Sequence, residues 1–277
     1  MPDQSPLLEF KDVSLQFGEK WALKNVSLAL KPGETRIIFG AAGSGKTMLL
    51  KTVIGLAPVD SGEIWLFGQQ VTTMQEQQLY NLRSRAGFLF QEGGLFDSLT
   101  IGENVEYPLL NRQAESSKNG HALDGDAEKR VREALRFVEL EQTFDQFPSE
   151  VSGGMRRRVG IARAIVTEPP LVLYDSPTAG LDPITANTIM ALIAKERDTR
   201  NSASLIVTNR YQDGEIMANF RYKDDELQPV GDNAEDRSLE ARTKFVVMKE
   251  GEIVFFGSRQ EMESSKDDYV RKFIRKE

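Results

Sequence analysis

At residues 40–47 the chain reads Gly40-Ala41-Ala42-Gly43-Ser44-Gly45-Lys46-Thr47. The order is a glycine, four further residues and then Gly-Lys-Thr, which is the pattern of a phosphate-binding P-loop. Apolar residues at 35–39 predict a buried strand before this segment, and residues 46–54 predict a helix after it. Because a P-loop requires strand, loop and helix in this order, a chance glycine-rich turn is the weaker interpretation.

The segment also has the chemistry of a phosphate cradle. Its glycines let backbone N–H groups turn towards phosphate oxygens, and the N-terminus of the following helix adds partial positive charge. We expect Lys46 to neutralise β- and γ-phosphate charge and the Thr47 hydroxyl to bind magnesium. The candidate cofactor-binding residues here are Gly40, Ala41, Ala42, Gly43, Ser44, Gly45, Lys46, Thr47 and Met48. The expected cofactors are ATP and Mg²⁺.

A second apolar run, Leu171 to Tyr174, ends in the carboxylate of Asp175. Such a strand places its last residue at the carboxyl edge of a parallel sheet, where open α/β folds bind ligands. A single acid at a strand end is often structural. In a chain that also has a P-loop, it predicts that Asp175 holds magnesium directly or through water.

The order of the predicted elements gives the fold class. Strands alternate with helices around the P-loop, which predicts an α/β core of the P-loop NTPase, RecA-like type. Residues 7–17 and 21–30 flank Gly18-Glu19 and predict an N-terminal antiparallel β subdomain. Residues 92–166 are interpreted as an inserted α-helical subdomain, with the core at 1–91 and 167–277 of a single domain. The polar, acid-rich residues 221–242 are interpreted as a surface insertion.

Composition excludes several kinds of site and partner. There is no cysteine and only one histidine, which excludes disulfides, thiolate zinc sites and a multi-histidine metal centre. That histidine, His121, lies in a polar stretch typical of a surface loop. A net charge of -7 argues against non-specific binding to nucleic acid. The apolar runs are far shorter than the roughly 20 residues of a membrane span, and residues 1–10 lack a secretory signal, so a cytoplasmic protein is expected.

The motif Val151-Ser152-Gly153-Gly154-Met155, upstream of Asp175, resembles the signature of the ABC ATPases. The resemblance covers nearly the whole chain except residues 221–242. It implies that Gln91 belongs to the loop that contacts magnesium and reports nucleotide state to a membrane subunit. It also implies that Ala179-Gly180-Leu181-Asp182 is the D-loop and that Phe17 stacks on adenine. Taken alone, Phe17 is more typical of a core strand residue, and its place ahead of Lys46 is what favours stacking.

The same resemblance implies partners. Ser152, Gly153 and Gly154 can open a helix whose N–H groups contact a γ-phosphate. One chain cannot easily direct two helix N-termini at one nucleotide, so these three residues are expected to contact the ATP of a second ATPase subunit. A head-to-tail homodimer is expected, with a heterodimer as the alternative. Membrane permease subunits would place the protein on the inner face of the cell membrane.

Two segments, residues 90–100 and 152–159, look like the versions found in the Mla or Mce branch of lipid transport. Met155 in place of the usual glutamine is normal in that branch. The implied function is the ATP-binding subunit of a phospholipid or lipid transporter, with an Mce-type lipid-binding protein reached through the permease. The run Arg156 to Arg158 is either a basic face near nucleotide or a solvated face, and the sequence leaves both open.

Two positions depart from the family. Ser176 stands where a glutamate polarises the attacking water, and Asn209 stands where a histidine contacts the γ-phosphate. A general base contributes about 10²–10⁴ in rate, so we expect slow hydrolysis. ATP binding should be nearly intact, because Lys46, Thr47, Asp175 and the loop amides that it uses are all present. Three explanations stay open: weak turnover, rescue by a carboxylate such as Glu92 or Asp182, or an ATP-gated structural or regulatory subunit whose partner hydrolyses. A soluble non-transport ABC ATPase is a further alternative, but a coiled-coil insertion or a second P-loop is not seen.

Overall fold

The computed structural model describes residues 5–91, 93–117, 126–231, 238–239 and 241–274, with only the backbone described for 111–117. The strands are β1 Leu8–Phe17, β2 Lys20–Leu30, β3 Thr35–Gly40, β4 Ser61–Leu66, β5 Gln69–Gln70, β6 Ala86–Leu89, β7 Leu171–Asp175, β8 Ala203–Val207, β9 Phe220–Lys223, β10 Glu226–Pro229, β11 Thr243–Lys249 and β12 Glu252–Gly257. The helices are α1 Lys46–Val53, α2 Glu76–Arg83, α3 Ile101–Ser117, α4 Ala127–Phe137, α5 Gly153–Ile165, α6 Pro183–Arg200, α7 Tyr211–Asn219, α8 Arg259–Glu263 and α9 Asp268–Ile274.

The central sheet has the order β12-β11-β3-β8-β7-β6, and only β12 is antiparallel to its neighbour. Every residue of β3, β7 and β8 is buried, as expected of strands covered on both faces. Val207 is in register with Ile38 on one side and with Asp175 on the other. The loops that follow these three strands therefore meet at one edge of the sheet. The parallel α/β core predicted from the sequence is confirmed.

The N-terminal hairpin of β1 and β2 joins β4 and β5 in a separate antiparallel sheet of order β2-β1-β4-β5. Its inward side chains join one face of the central sheet and helix α1 in a single hydrophobic cluster, which includes Leu8, Leu23, Ile38 and Leu50. The predicted antiparallel β structure is therefore present. It packs directly against the helix that follows the P-loop.

Helices α3, α4 and α5 lie between β6 and β7 in the chain, within the segment predicted to be helical. The apolar positions that predicted α4 are buried: Val131, Leu135 and Val138 are at most 1% exposed. Helix α2 was not predicted, because only Leu79 and Leu82 of its residues are buried and its apolar pattern is weak. The helices of this segment pack on the opposite face of the sheet from the β subdomain.

Part of the predicted surface insertion is a β-hairpin of β9 and β10, paired from Glu226↔Lys223 to Pro229↔Phe220. It packs on α6, where the buried Arg197 donates hydrogen bonds to the carbonyls of Met217 and Phe220 at 2.5 and 2.9 Å. Residues 232–237 and 240 of the insertion lie outside the described residues, as do His121 and Glu92. In the described ranges, no helix combines the length and apolar character needed to cross a bilayer.

Candidate nucleotide-binding site

The P-loop connects the end of β3 to the start of α1. Gly45 has φ 103°, and a Cβ there would lie 2.0 Å from the carbonyl oxygen of Ala22 on β2, so only glycine fits. Gly43 also has positive φ, but the space around its Cα is open. The loop backbone is therefore fixed on its protein side and accessible on the other, as a phosphate cradle requires.

Lys46 is the first residue of α1, and its side chain folds back over the loop. Its ammonium group donates to the carbonyls of Gly40 and Ala41 at 2.7 and 2.9 Å and lies 3.3 Å from the Ser44 hydroxyl. Burial lowers the pKa of Lys46, and the negative charge of Asp175 acts in the opposite direction. A cation held by loop carbonyls at a helix N-terminus is suited to exchange those contacts for phosphate oxygens.

Asp175 ends β7 and is 3% exposed. Its Oδ1 accepts hydrogen bonds from the Thr47 hydroxyl and from the Ser176 hydroxyl, both at 3.2 Å. A hydroxyl and a carboxylate at this separation are hard oxygen ligands of the kind that Mg²⁺ prefers. The structure thus brings together the two predicted magnesium ligands of the P-loop helix and β7, and their donor set fits a magnesium-bound nucleotide.

Ser176 occupies a left-handed backbone conformation with φ 51°, which a side-chain-bearing residue adopts rarely. Its N–H donates to the Val207 carbonyl at 2.9 Å, which keeps the turn after β7 against β8. Within the part of the chain that the structure describes, the short hydroxyl bonds only to the carboxylate of Asp175 beside it. At this position the chain therefore presents no group that accepts a proton at neutral pH.

The arginine run on α5 binds backbone carbonyls. Arg156 donates to the Val151 carbonyl at 2.8 Å, and Arg158 to the Val138 carbonyl at 3.3 Å. Arg157 is 3% exposed and donates to the carbonyls of Ser176 and Ala179 at 3.3 and 3.2 Å. The cluster therefore has a structural role that neither alternative from the sequence anticipated, and Arg157 ties α5 to the turn after β7.

The remaining predicted nucleotide contacts lie at the edges of the cradle. Gln91 and Asn209 are exposed and follow β6 and β8 at the carboxyl edge of the sheet. Phe17 is 58% exposed at the end of β1. The next strand of the same hairpin, β2, lies against the P-loop, where the carbonyl of Ala22 faces Gly45. These positions are compatible with the roles expected from the sequence.

Asp182 is engaged in capping helix α6. Its Oδ1 accepts from the N–H groups of Ile184 and Thr185 at 3.0 Å, and its Oδ2 accepts the Thr185 hydroxyl at 2.6 Å. The hydrogen bonds from Thr185 are the main cause of its lowered pKa. A carboxylate held in this way is a poor proton acceptor, which weakens the rescue of hydrolysis by Asp182. Glu92, the other candidate, lies outside the described residues.

The signature residues open helix α5. Ser152 is the N-cap, and its hydroxyl oxygen accepts from the N–H of Met155 at 3.2 Å. Ser152 and Gly153 are exposed. Ser152 and Gly154 border a cavity of about 420 Å³ that also contacts Gly180 and Ile184, and Ile184 is 80% exposed. The exposed helix N-terminus beside an unusually exposed isoleucine suits contact with another molecule.

Sequence reasoning missed one group at this edge, the carboxylate of Asp213 on α7. Both the Thr178 and Thr208 hydroxyls donate to its Oδ2 at 2.6 Å. These threonines lie in the turns after β7 and β8, within two residues of the two positions that depart from the family. The signal available in the sequence was weak: an acid four residues after Asn209, a threonine directly before Asn209 and another two residues after Ser176.

A strand, P-loop and helix with a carboxylate at the end of a neighbouring parallel strand define a P-loop nucleotide-binding protein. The ABC transporter family model matches residues 23–179, and the chain belongs to this family as an ABC transporter ATP-binding subunit. The family binds ATP, with Mg²⁺ typical, and its cassettes dimerise and pair with membrane permeases.

Two curated relatives and one solved structure illustrate the similarity. The intermembrane phospholipid transport system ATP-binding protein MlaF of Haemophilus influenzae is 31% identical over 241 residues, covering 87% of this chain and 89% of that protein. The methionine import ATP-binding protein MetN of Carboxydothermus hydrogenoformans is 39% identical over 188 residues, covering 68% of this chain and 53% of that protein. The dimeric structure of the bacterial ABC transporter cassette MJ0796 is 30% identical, with TM-score 0.73 and coverage of 91% and 98%.

Proposed function

We propose that this chain binds MgATP at residues 40–48 and Asp175, dimerises around it, and drives a phospholipid or lipid transporter of the Mla or Mce type with slow hydrolysis. One observation carries the nucleotide site: the Thr47 hydroxyl and the Asp175 carboxylate meet at 3.2 Å beside the Lys46 ammonium. Bound magnesium would neutralise phosphate charge there. Within the chain, Lys46 and the loop amides orient the phosphates, and Thr47, Asp175 and Gln91 hold the ion.

Dimerisation is supported by the exposed N-terminus of α5. Ser152, Gly153 and Gly154 would contact the γ-phosphate bound by a second subunit, which makes ATP part of the interface. The similar cassette MJ0796 is described as dimeric. A homodimer is proposed, and a heterodimer with an intact ATPase is the alternative.

Slow hydrolysis follows from Ser176 and Asn209. Neither side chain can serve as a charged acid or base at neutral pH, whereas the binding groups Lys46, Thr47 and Asp175 are all present. Loss of a general base costs about 10²–10⁴ in rate. The alternative is an ATP-gated subunit that leaves hydrolysis to its partner.

A permease helix would dock in an apolar groove beside β6, with a volume of about 320 Å³. Four of its aromatic side chains are between 38% and 43% exposed: Tyr80, Phe90, Phe96 and Tyr107. Exposed aromatic grooves of this kind accept an amphipathic helix. Because Phe90 directly precedes Gln91, such a helix would lie next to the nucleotide site. Docking to a permease supports a location on the inner face of the cell membrane.

Lipid is proposed as the cargo because the similarity to MlaF extends over 87% of this chain and 89% of that protein. Amino-acid import is the second candidate, since MetN is 39% identical, although this chain spans only about half of that relative. Purification of the intact complex with its permease, followed by mass spectrometry of bound lipid, separates the two. Bound phospholipid supports the first, and methionine-stimulated ATP turnover without lipid supports the second.

Nucleotide binding itself is tested by calorimetry with MgATP on the wild type and Lys46→Ala. We expect uptake by the wild type and a loss of at least about tenfold in affinity for Lys46→Ala, since a charge-assisted contact contributes about 1.5–3 kcal/mol. Lys51→Ala, on the same helix, is the matched control and should bind like the wild type. Equal affinity of the wild type and Lys46→Ala would contradict the site.

A further inference from the structure

We propose that Asp213 is a positioning residue that clamps the turn after β7 to the turn after β8, and so sets where Asn209 and Ser176 face the nucleotide. The inference rests on the proposed function, because it assigns the clamp to the phosphate end of that site. Asp213 itself lies behind the site on α7 and acts through the two turns.

The clamp is a single carboxylate oxygen shared by two turns. Asp213 Oδ2 accepts the hydroxyl of Thr178, two residues beyond Ser176, and the hydroxyl of Thr208, which directly precedes Asn209; both distances are 2.6 Å. All three side chains are about 1% exposed. Short hydrogen bonds to a buried carboxylate are among the stronger ones in proteins, so the two turns are held to a common point.

The backbone around Asn209 is fixed by the same group. The Thr208 hydroxyl, besides donating to Asp213, accepts the N–H of Arg210 at 3.1 Å. Arg210 also places its guanidinium 3.4 Å from Asp213 Oδ1, and its carbonyl accepts the N–H of Asp213 at 3.2 Å. Asn209 is thus flanked on both sides by residues bound to one carboxylate.

Asn209 has no hydrogen bond of its own side chain within the described ranges, so its position depends on its neighbours. The turn after β7 needs support for a different reason, since Ser176 is held in the left-handed region. Burying a carboxylate costs free energy, and among the described groups Asp213 Oδ1 has the Arg210 ion pair at 3.4 Å but no hydrogen bond, whereas Oδ2 accepts two short ones. The carboxylate therefore has its clearest use in connecting the two turns.

The test compares Thr208→Val, which removes the hydroxyl, with Thr208→Ser, which keeps it. We expect Thr208→Val to lower kcat about tenfold while the Kd for MgATP changes less than about twofold, and Thr208→Ser to recover most of the turnover. Thr178→Val and Thr178→Ser should change kcat and the Kd for MgATP in the same way as the corresponding variants at Thr208. If both variants at Thr208 lose turnover and affinity equally, the positioning role is wrong.

A double-mutant cycle with Asn209→Ala shows whether the clamp acts through Asn209. Thr208→Val should have little further effect in the Asn209→Ala background, because the group it positions is already gone. Fully additive losses would overturn the proposal.

Hydrogen exchange separates this proposal from the proposed function. Peptides covering 176–179 and 207–211 should exchange faster in Thr208→Val than in Thr208→Ser, whether or not the protein hydrolyses ATP. Equal exchange in the two variants counts against the clamp. Absence of MgATP uptake by the wild type contradicts the proposed function and leaves the exchange result to decide the clamp.

Discussion

The hydroxyl of Thr47 and the carboxylate of Asp175 are 128 residues apart in the chain and 3.2 Å apart in the fold. The contact exists because Thr47 is in the first turn of α1, directly after the P-loop, while Asp175 ends β7 at the same edge of the sheet. Two separate sequence motifs thus supply one pair of oxygen ligands. This geometry makes the magnesium dependence of binding the most direct property to measure.

Replacing Thr47 should remove the benefit of magnesium. The Thr47→Ala variant loses one predicted ligand, so we expect MgATP affinity to fall about tenfold or more while affinity for ATP in chelator stays close to that of the wild type. Calorimetry with and without Mg²⁺ measures both. Thr47→Ser keeps the hydroxyl and should retain most of the difference; an unchanged magnesium effect in Thr47→Ala would show that Thr47 is not a ligand.

Restoring a base at position 176 should speed hydrolysis. Ser176→Glu introduces a carboxylate next to Asp175, and a positioned base contributes about 10²–10⁴ in rate. We expect steady-state phosphate release to rise by at least about tenfold. The rise should stay below the full contribution of a base, because the left-handed backbone at Ser176 limits how well the new side chain is aimed.

Ser176→Gln is the matched control for that experiment, since it has the size of glutamate without its basicity. It should remain as slow as the wild type. A wild type that already turns over as fast as Ser176→Glu would mean that another group supplies the base and that the slow-hydrolysis proposal is wrong.

Local patterns explain why much of this fold was predictable. The P-loop, the apolar runs of β3 and β7, and the acid and proline at Asp182-Pro183 each have a mechanism that works within a few residues. The structure places β3 at Thr35–Gly40, β7 at Leu171–Asp175 and the start of α6 at Pro183. Helix α2 was missed because it buries too few residues to leave a clear period.

The features that were missed depend on contacts between distant parts of the chain. Nothing in the run Arg156 to Arg158 indicates that the middle arginine is buried and reaches the carbonyls of Ser176 and Ala179. The polar composition of residues 221–242 indicated the surface but not the β9–β10 hairpin, which forms against α6. Such contacts are set by packing, which periodicity does not encode.

Removing the buried guanidinium of Arg197 should destabilise the protein and release that hairpin. Arg197→Met leaves the carbonyls of Met217 and Phe220 without their donor, for an expected loss of about 3 kcal/mol in urea unfolding. Arg136→Met is the matched control, because Arg136 pairs with Glu141 on the surface and its loss should change stability far less. Equal losses for the two variants would contradict this account.

Glu196 should make folding stability depend on pH. It is fully buried on α6, neither of its carboxylate oxygens has a hydrogen-bond partner in the described part of the chain, and Arg200 Nε lies 3.4 Å from Oε2. Burial raises the pKa of Glu196 from 4.5 to about 7; Arg200 opposes the rise and the nearby Glu168 adds to it.

The sign of the effect follows from proton linkage. Below the unfolded pKa of 4.5 the carboxyl is protonated in both states, so burial costs nothing extra. As the pH rises from there to about 7, the unfolded chain releases the proton while the folded chain keeps it, and stability is lost. The loss is on the order of 3 kcal/mol and is complete above the folded pKa.

Urea unfolding at several pH values between about 5 and 8 tests this by comparing the wild type with Glu196→Gln, since other titrating groups cancel in the difference. The glutamine variant cannot ionise, so its stability should fall less over this range than that of the wild type. Glu168→Gln, whose side chain is 69% exposed, serves as the control and should keep most of the wild-type slope. Parallel curves for the wild type and Glu196→Gln would show that Glu196 is ionised throughout, with Arg200 compensating its burial.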